Sequence, residues 1–133
     1  MSSKASAESR ELAVAAARAI DAKQGEATVI LDVGAVLAIT DIFVITSAAN
    51  RRLVRTLAEE VEEQLGAQYG RKPLRVEGLS EQQWVLLDYG DVVVHVFADE
   101  ARRFYEIERL YRDVERVPWE PAAAAAPPSA PSA

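Results

Sequence analysis

The stretch from Trp84 to Phe97, WVLLDYGDVVVHVF, constrains the fold of this chain more than any other. Two apolar runs, the second of them rich in β-branched residues, flank an acidic turn that contains Tyr89 and Gly90, which is the pattern of a β-hairpin. Because side chains alternate between the two faces of a strand, His95 shares a face with Phe97. By the same rule, the other face of this strand carries Val92, Val94 and Val96. The sequence therefore predicts a sheet that contains this hairpin.

In the remaining segments, apolar residues follow the spacing of helices in some places and of strands in others. Apolar residues three and four apart predict helices, and short β-branched runs predict strands. Asn50 is a suitable N-cap for the second helix, and Gly25 predicts a left-handed C-terminal cap for the first. Two helices are predicted at 6–24 and 51–68. A third is predicted to begin near its cap Asp99 and carries Phe104, Ile107, Leu110 and Tyr111 at helical spacing. The predicted strands are 28–33, 41–46, 74–77, 84–87 and 92–97. The fold class is therefore α/β, a mixed sheet of about five strands with helices packed on it in the order α-β-β-α-β-β-β-α.

Length and composition limit the choice of function. The 133 residues fit one domain, predicted at 1–117, followed by an Ala- and Pro-rich segment at 118–133 that is predicted to be a disordered tail. A net charge of −6 argues against sequence-independent binding to nucleic acid. The absence of cysteine excludes disulfides, thiolate catalysis and cysteine-ligated metals. No apolar run approaches the roughly 20 residues of a membrane span, and no signal sequence is visible, so a cytoplasmic location without membrane contact is expected.

The hairpin contains the residues that most resemble an active site. His95 is the only histidine, and no serine lies in the Gly-x-Ser-x-Gly setting of a nucleophile. A histidine on a half-buried strand with a hydrogen-bond partner is therefore the favoured interpretation. Asp88 and Asp91 are explained by hydrogen bonding within the turn, and no glycine-rich phosphate loop accompanies them to support a magnesium site. The sequence indicates no catalytic residues, no metal ligands and no cofactor.

The helix predicted at 51–68 carries its charges against the helix dipole. Arg51 and Arg52 lie at its positive end and glutamates follow, an arrangement that local stability does not explain. Either the arginines are part of a solvated face, or they meet an anion such as a phosphate or a partner carboxylate. Trp84, Arg103 and Tyr105 have charged or polar neighbours, which is the composition of a protein-binding hot spot and equally that of aromatic residues at the edge of a core.

Several segments together resemble one family. ITDIFVITSAANRRLVRTLAEEVEEQL, RVEG, WVLLDYGDVVVHVF and ARRFYEIERLY are similar, in this order and without large gaps, to the Iojap-like ribosomal silencing factors. The resemblance covers approximately residues 8–119 and leaves out the tail. It implies a nucleotidyltransferase-like topology, a homodimer and no cofactor. It also implies binding to the large ribosomal subunit through its fourteenth protein, which blocks joining with the small subunit and represses translation when nutrients are limiting.

The resemblance also suggests which residues bind the partner. We expect no nucleotidyltransferase activity, because the strands FVITSAAN and VVVHVF lack paired carboxylates. Two other hypotheses stay open: an enzyme related to nucleotidyltransferases, which a turnover assay would reveal, and a dimeric scaffold that does not co-sediment with large subunits. The predicted partner-binding residues, including two arginines that can touch adjacent ribosomal RNA phosphate, are Asp41, Arg51, Arg52, Trp84, Asp88, Tyr89, Asp91, His95, Arg103, Tyr105 and Glu108.

Overall fold

The computed structural model of the chain describes residues 5–120 and confirms the predicted order of elements. Three helices and a five-stranded sheet are followed by a short 3-10 helix. Their bounds are α1 Ala7–Ala22, β1 Glu26–Asp32, β2 Ile42–Ala48, α2 Arg51–Tyr69, β3 Arg75–Glu77, β4 Trp84–Asp88, β5 Val92–Ala98, α3 Asp99–Tyr105 and the 3-10 helix Ile107–Tyr111. Within the described range, no helix is long and apolar enough to cross a membrane.

The sheet is mixed, as the sequence predicts. Its strand order is β1-β2-β5-β4-β3, with β2 and β5 parallel and every other neighbouring pair antiparallel. The parallel pair lies in the middle, where Ile45 is opposite His95. Both strands are almost completely buried, since helices cover one side along their length and part of the other side, which explains their continuous apolar runs.

The two faces of the sheet are covered unequally. On the first face, α1 and α2 pack through Leu12, Ile20, Leu57 and their neighbours against the valines of β5, including Val94. On the second face, α3 and the 3-10 helix cover a smaller cluster formed by Leu31, Val33, Ile45, Phe97 and Ala101. The prediction that His95 and the valines Val92, Val94 and Val96 lie on opposite faces is confirmed.

The ends of the first two helices differ in how well the sequence predicts them. Asn50 caps α2 as predicted, because its Oδ1 atom accepts a hydrogen bond from the Leu53 N–H at 2.8 Å. The prediction for Gly25 is wrong, since the left-handed residue is Gln24, with φ 72°. Glycine is needed at position 25 for space instead: a Cβ atom there would overlap the Ile20 side chain and lie 2.9 Å from Thr46 Oγ1.

The final helix is shorter than predicted. Asp99 is its first residue and not its cap, and the helix ends at Tyr105 because Glu106 adopts a left-handed conformation with φ 46°. A 3-10 helix then continues in a new direction. Ile107 and Tyr111 pack against the second face, but Phe104 and Leu110 are exposed, so the four residues predicted to share a helical face do not share one.

The C-terminal segment covers the edge of β1. Arg116 forms a β-bridge with Leu31, and the Val117 N–H donates to the Ile30 carbonyl at 2.9 Å. The Trp119 Nε1–H then donates to the Thr28 carbonyl at 3.0 Å. Packing therefore extends two residues past the predicted boundary at 117, and the rest of the predicted tail, from residue 121, lies outside the described residues.

Candidate functional site

The two carboxylates of the hairpin turn have separate partners. Asp88 Oδ1 accepts from the Gly90 N–H at 2.8 Å, and its Oδ2 atom lies 3.3 Å from the Arg75 guanidinium. Asp91 accepts from Ser9 Oγ and from the Arg71 guanidinium, each at 2.8 Å. The carboxylates thus fix the hairpin to different parts of the chain. Among residues 5–120, no group of three or more His, Cys, Asp and Glu residues is arranged to hold a metal ion.

Asp91 connects three elements through one side chain. Ser9 belongs to α1, and Arg71 follows the left-handed cap at Gly70 that ends α2. Burial raises the pKa of Asp91, but the hydrogen bonds from Arg71 and Ser9 and the charge of Arg71 outweigh it, so the pKa lies below its ordinary value. The carboxylate is therefore ionised at neutral pH and stabilises the fold.

His95 is buried and neutral. Its Nδ1 atom accepts a hydrogen bond from the Trp84 Nε1–H at 3.1 Å, and its ring lies edge-on to Phe43 with centroids 4.5 Å apart. Burial lowers the pKa of His95 from 6.5 to about 4. In the part of the chain that the structure describes, no hydroxyl or carboxyl group hydrogen-bonds this ring, so the arrangement provides neither an activated nucleophile nor an oriented base.

Two exposed aromatic side chains, Phe104 and Tyr105, and the half-buried Trp84 form a surface that we call the aromatic patch. The Trp84 and Tyr105 rings have centroids 5.0 Å apart, and Phe104 meets Tyr105 edge-on at 4.9 Å. Phe104 is 79% exposed and Tyr105 is 51% exposed. On its inner side Trp84 stacks on Phe97, so the patch is supported by the core of the second face. A rigid, exposed aromatic surface of this kind is typical of a protein-binding site.

Positive charge lies beside the aromatic patch. Arg51, Arg52 and Arg103 are all exposed, and none of them forms an ion pair within residues 5–120. A cleft of about 500 Å³ lies between the start of α2 and the start of α3, and Arg51 and Arg103 both line it, together with Asp99 and Glu100. The later Arg55 pairs with Glu59 at 3.0 Å. The arginines at the start of α2 are therefore available to an anion, whereas Arg55 is not.

The structure distributes the eleven predicted partner-binding residues over several places. Trp84 and Tyr105 lie in the aromatic patch, Arg51 and Arg103 lie at the cleft, and Arg52 is exposed next to it. The other six make contacts within the fold. Asp88 and Asp91 are bonded in the turn, Asp41 donates its N–H to the Asp91 carbonyl at 3.0 Å, Glu108 pairs with Arg102 at 2.8 Å, and Tyr89 and His95 are buried.

Tyr89 lies on the face that α1 and α2 cover, away from the aromatic patch. It is 3% exposed and belongs to the larger core cluster. Burial, and to a smaller extent the nearby Glu62 carboxylate, raise the pKa of Tyr89 to about 12. In this conformation Tyr89 supports the hairpin from inside and does not present its ring to a partner.

Arg102 was not among the predicted residues, although it positions the aromatic patch. Its guanidinium pairs with Glu108 and also donates to Ser47 Oγ and to the Glu26 carbonyl, each at 3.2 Å. It thus ties α3 and the 3-10 helix to the sheet. Ser47, near the end of β2, is the sheet side chain used in this contact. Arg102 is one of two adjacent arginines in the sequence, and nothing local distinguishes it from the exposed Arg103.

Comparison with known proteins points to one family. The chain matches the family described as "Ribosomal silencing factor during starvation" over residues 6–133. It is 35% identical over 111 residues to the ribosomal silencing factor RsfS of Halalkalibacterium halodurans, covering 84% of this chain and 94% of that protein. It is 37% identical over 98 residues to RsfS of Bacillus subtilis, covering 74% and 82%. A crystal structure of a Chromobacterium violaceum protein superimposes with a TM-score of 0.73 at 29% identity, covering 85% and 93%.

Proposed function

Because the chain belongs to the family of ribosomal silencing factors, we propose that it binds the large ribosomal subunit and sterically blocks joining with the small subunit. The subunit is contacted through its fourteenth protein, near the face that meets the small subunit. Translation is thereby repressed, especially under nutrient limitation. The proposal includes a homodimer in the free state and a location in the compartment that contains the ribosomes, which is the cytoplasm in a bacterium.

The observation that carries this proposal is the exposed aromatic patch beside unpaired arginines. Aromatic residues and arginine dominate the binding energy of protein interfaces, since they bury a large area with few rotatable bonds. Phe104 and Tyr105 have no structural reason to be so exposed, because folding would be favoured by burying them. A partner that covers them accounts for their exposure, and it requires no chemistry from the chain.

The arginines beside the patch explain how a protein with a net charge of −6 can approach a ribosome. At long range, an acidic protein is repelled by ribosomal RNA, so affinity has to come from a basic ribosomal protein and from local positive charge. Arg51, Arg52 and Arg103 supply that charge at one side of the aromatic patch. We expect one or more of them to contact RNA phosphate next to the protein partner.

Subunit joining in a sucrose gradient tests the proposal. Purified large subunits are incubated with excess protein, small subunits are added, and the 70S peak is measured. We expect the peak to fall and the protein to sediment with the large subunit. A 70S peak that is unchanged at saturating protein would refute the proposal.

Variants locate the surface. The double substitution Phe104→Ala with Tyr105→Ala should weaken binding about tenfold or more, because truncating a hot-spot side chain costs roughly 2 kcal/mol. Tyr69→Ala is the matched control, since Tyr69 is a partly exposed aromatic residue at the end of α2 that lines the groove between α1 and α2. Equal affinities of the double variant and the control would exclude the aromatic patch as the contact surface.

The arginines need a separate experiment. Arg51→Ala with Arg52→Ala should leave the melting temperature nearly unchanged but weaken binding and make it less dependent on salt, because fewer counterions are released from phosphate. Arg55→Ala, on the same helix but in an ion pair with Glu59, is the control. An unchanged affinity in the double variant would show that these arginines belong to a solvated face.

A further inference from the structure

The second face of the sheet contains a cavity that no helix covers. It has a volume of about 390 Å³ and lies beside the start of β5, between the loop that follows β1 and strands β3 and β4. We call it the sheet-face pocket; apolar residues, with Thr40 and His95, line most of it, and the ion pair between Arg75 and Asp88 lies at one side. Two of them stand at the rim almost free of contacts, since Ile39 is 86% exposed and Leu74 is 73% exposed.

Two polar atoms of this pocket are buried without a hydrogen-bond partner. Thr40 Oγ1 and His95 Nε2 are both in this state, and the residues are 6% and 4% exposed. Buried polar groups in folded proteins are nearly always hydrogen-bonded, so two unpaired groups in one pocket require an explanation. A partner that supplies the missing hydrogen bonds is such an explanation.

The protonation state of His95 determines what that partner has to offer. The Trp84 indole has only an N–H donor, so the Nδ1 atom that it contacts must be unprotonated. In the neutral ring, the proton is then on Nε2, and the unpaired atom is a donor. Lysine and arginine side chains carry no acceptor and cannot satisfy it. The pocket therefore selects an acceptor such as a carbonyl oxygen.

We propose that the sheet-face pocket receives a loop of the large-subunit protein, with one aliphatic side chain inside the pocket and a carbonyl oxygen that accepts a hydrogen bond from His95 Nε2. This inference rests on the proposed function. An aliphatic side chain fits because six of the eleven lining residues are apolar: Leu37, Ile39, Phe43, Leu74, Leu86 and Val93. A protein loop fits better than a small molecule because the rim side chains project outwards, where only a second surface can cover them.

The sheet-face pocket is continuous with the aromatic patch. Trp84 belongs to the patch and donates to His95 Nδ1, so one hydrogen bond of 3.1 Å joins the two places. A partner that covers Phe104 and Tyr105 thus extends along the second face to the pocket. Nε2 is shielded in the free protein, and the pocket has to widen before a carbonyl reaches it.

A pair of substitutions at His95 separates its two nitrogens. In His95→Asn the side-chain amide occupies the place of Nδ1, which keeps an acceptor for Trp84 and removes the Nε2 donor. In His95→Gln the amide reaches the place of Nε2, which keeps a donor towards the pocket and loses the acceptor for Trp84. Binding to purified large subunits should be weakened about tenfold by His95→Asn and clearly less by His95→Gln. The reverse order, or equal effects, would overturn the proposal.

Thr40→Val provides a readout that a purely structural role would not give. The substitution replaces an unpaired buried hydroxyl with a methyl group of similar shape, so we expect a higher melting temperature of the free protein. At the same time it should weaken binding to the large subunit severalfold, because the hydroxyl no longer meets its partner. Opposite signs for stability and affinity support the proposal. Unchanged or tighter binding overturns it.

The outcomes also separate this inference from the proposed function. If the unaltered protein sediments with large subunits and His95→Asn and Thr40→Val do so equally well, the pocket is not a contact site and the proposed function stands. If the unaltered protein does not bind, both fail. If His95→Asn weakens self-association in analytical ultracentrifugation and leaves subunit binding intact, a second copy of the chain occupies the pocket, and the inference is wrong.

Discussion

The pH dependence of stability follows from the burial of a single histidine. The pKa of His95 is about 4 in the folded protein and 6.5 when the ring is exposed to water. Below pH 6.5 the unfolded chain therefore binds a proton that the folded chain does not bind. The stabilisation is fully present above pH 6.5 and is lost as the pH falls towards 4. This group alone should remove about 2 kcal/mol between pH 7 and pH 5, and about 3 kcal/mol by pH 4.

Urea denaturation between pH 7.5 and pH 4.5 measures this loss. The free energy of unfolding is followed by tryptophan fluorescence for the unaltered protein and for His95→Phe, which keeps an aromatic ring next to Phe43 but cannot titrate. Carboxylates contribute equally to both proteins, so the difference between the two curves isolates His95, the only histidine in the chain. We expect the difference to change by up to about 1.4 kcal/mol per pH unit below pH 6. Parallel curves would refute the conclusion that His95 is buried and neutral.

Three further predictions concern the fold. Gly25→Ala should destabilise the protein by about 1–3 kcal/mol in urea, because the new methyl group overlaps Ile20; an unchanged midpoint would contradict this packing. Asp91→Asn should cost about 1–2 kcal/mol at pH 7 by weakening the contact with Arg71. Since the pKa of Asp91 is lowered, its stabilisation is present above the ordinary value and is lost in more acidic solution, so the two proteins should converge below about pH 4. Glu106→Gly should raise the melting temperature, because glycine adopts the left-handed conformation without strain worth about 1 kcal/mol; a lower melting temperature would show that the exposed Glu106 side chain matters more.

The parts of the fold that depend on local pattern were predictable. The alternation in WVLLDYGDVVVHVF gave the hairpin and put His95 and Val94 on opposite faces, and Asn50 identified the start of α2. Each of these features is determined by residues within a few positions of one another, so the rules for strands and caps suffice. The strand order and the parallel pairing of β2 with β5 are non-local, and the sequence pattern alone predicted only that the sheet is mixed.

The errors have non-local causes. The apolar spacing after Asp99 predicts one continuous helix, but Arg102 reaches Glu108 and Ser47 at once, which requires the chain to turn at Glu106. Gly25 looks like a cap in the sequence, while its actual role depends on how closely β2 approaches the end of α1. Six of the predicted partner-binding residues, among them Tyr89, make contacts within the fold, and their contact with a partner stays a prediction.

Trp84 both supports the core and lies in the aromatic patch, and this determines how the binding surface has to be tested. Its ring stacks on Phe97 in the core and meets Tyr105 at the surface, and its N–H fixes the tautomer of His95. Removing this ring would therefore lower stability, disturb the aromatic patch and release His95 in one step, so weaker binding by Trp84→Ala would not show which effect is responsible. Phe104, Tyr105 and Thr40 are more informative, because the first two are mostly exposed and the hydroxyl of the third has no partner to lose in the free protein. A loss of subunit binding in these variants without a loss of stability can come only from lost contacts with the partner.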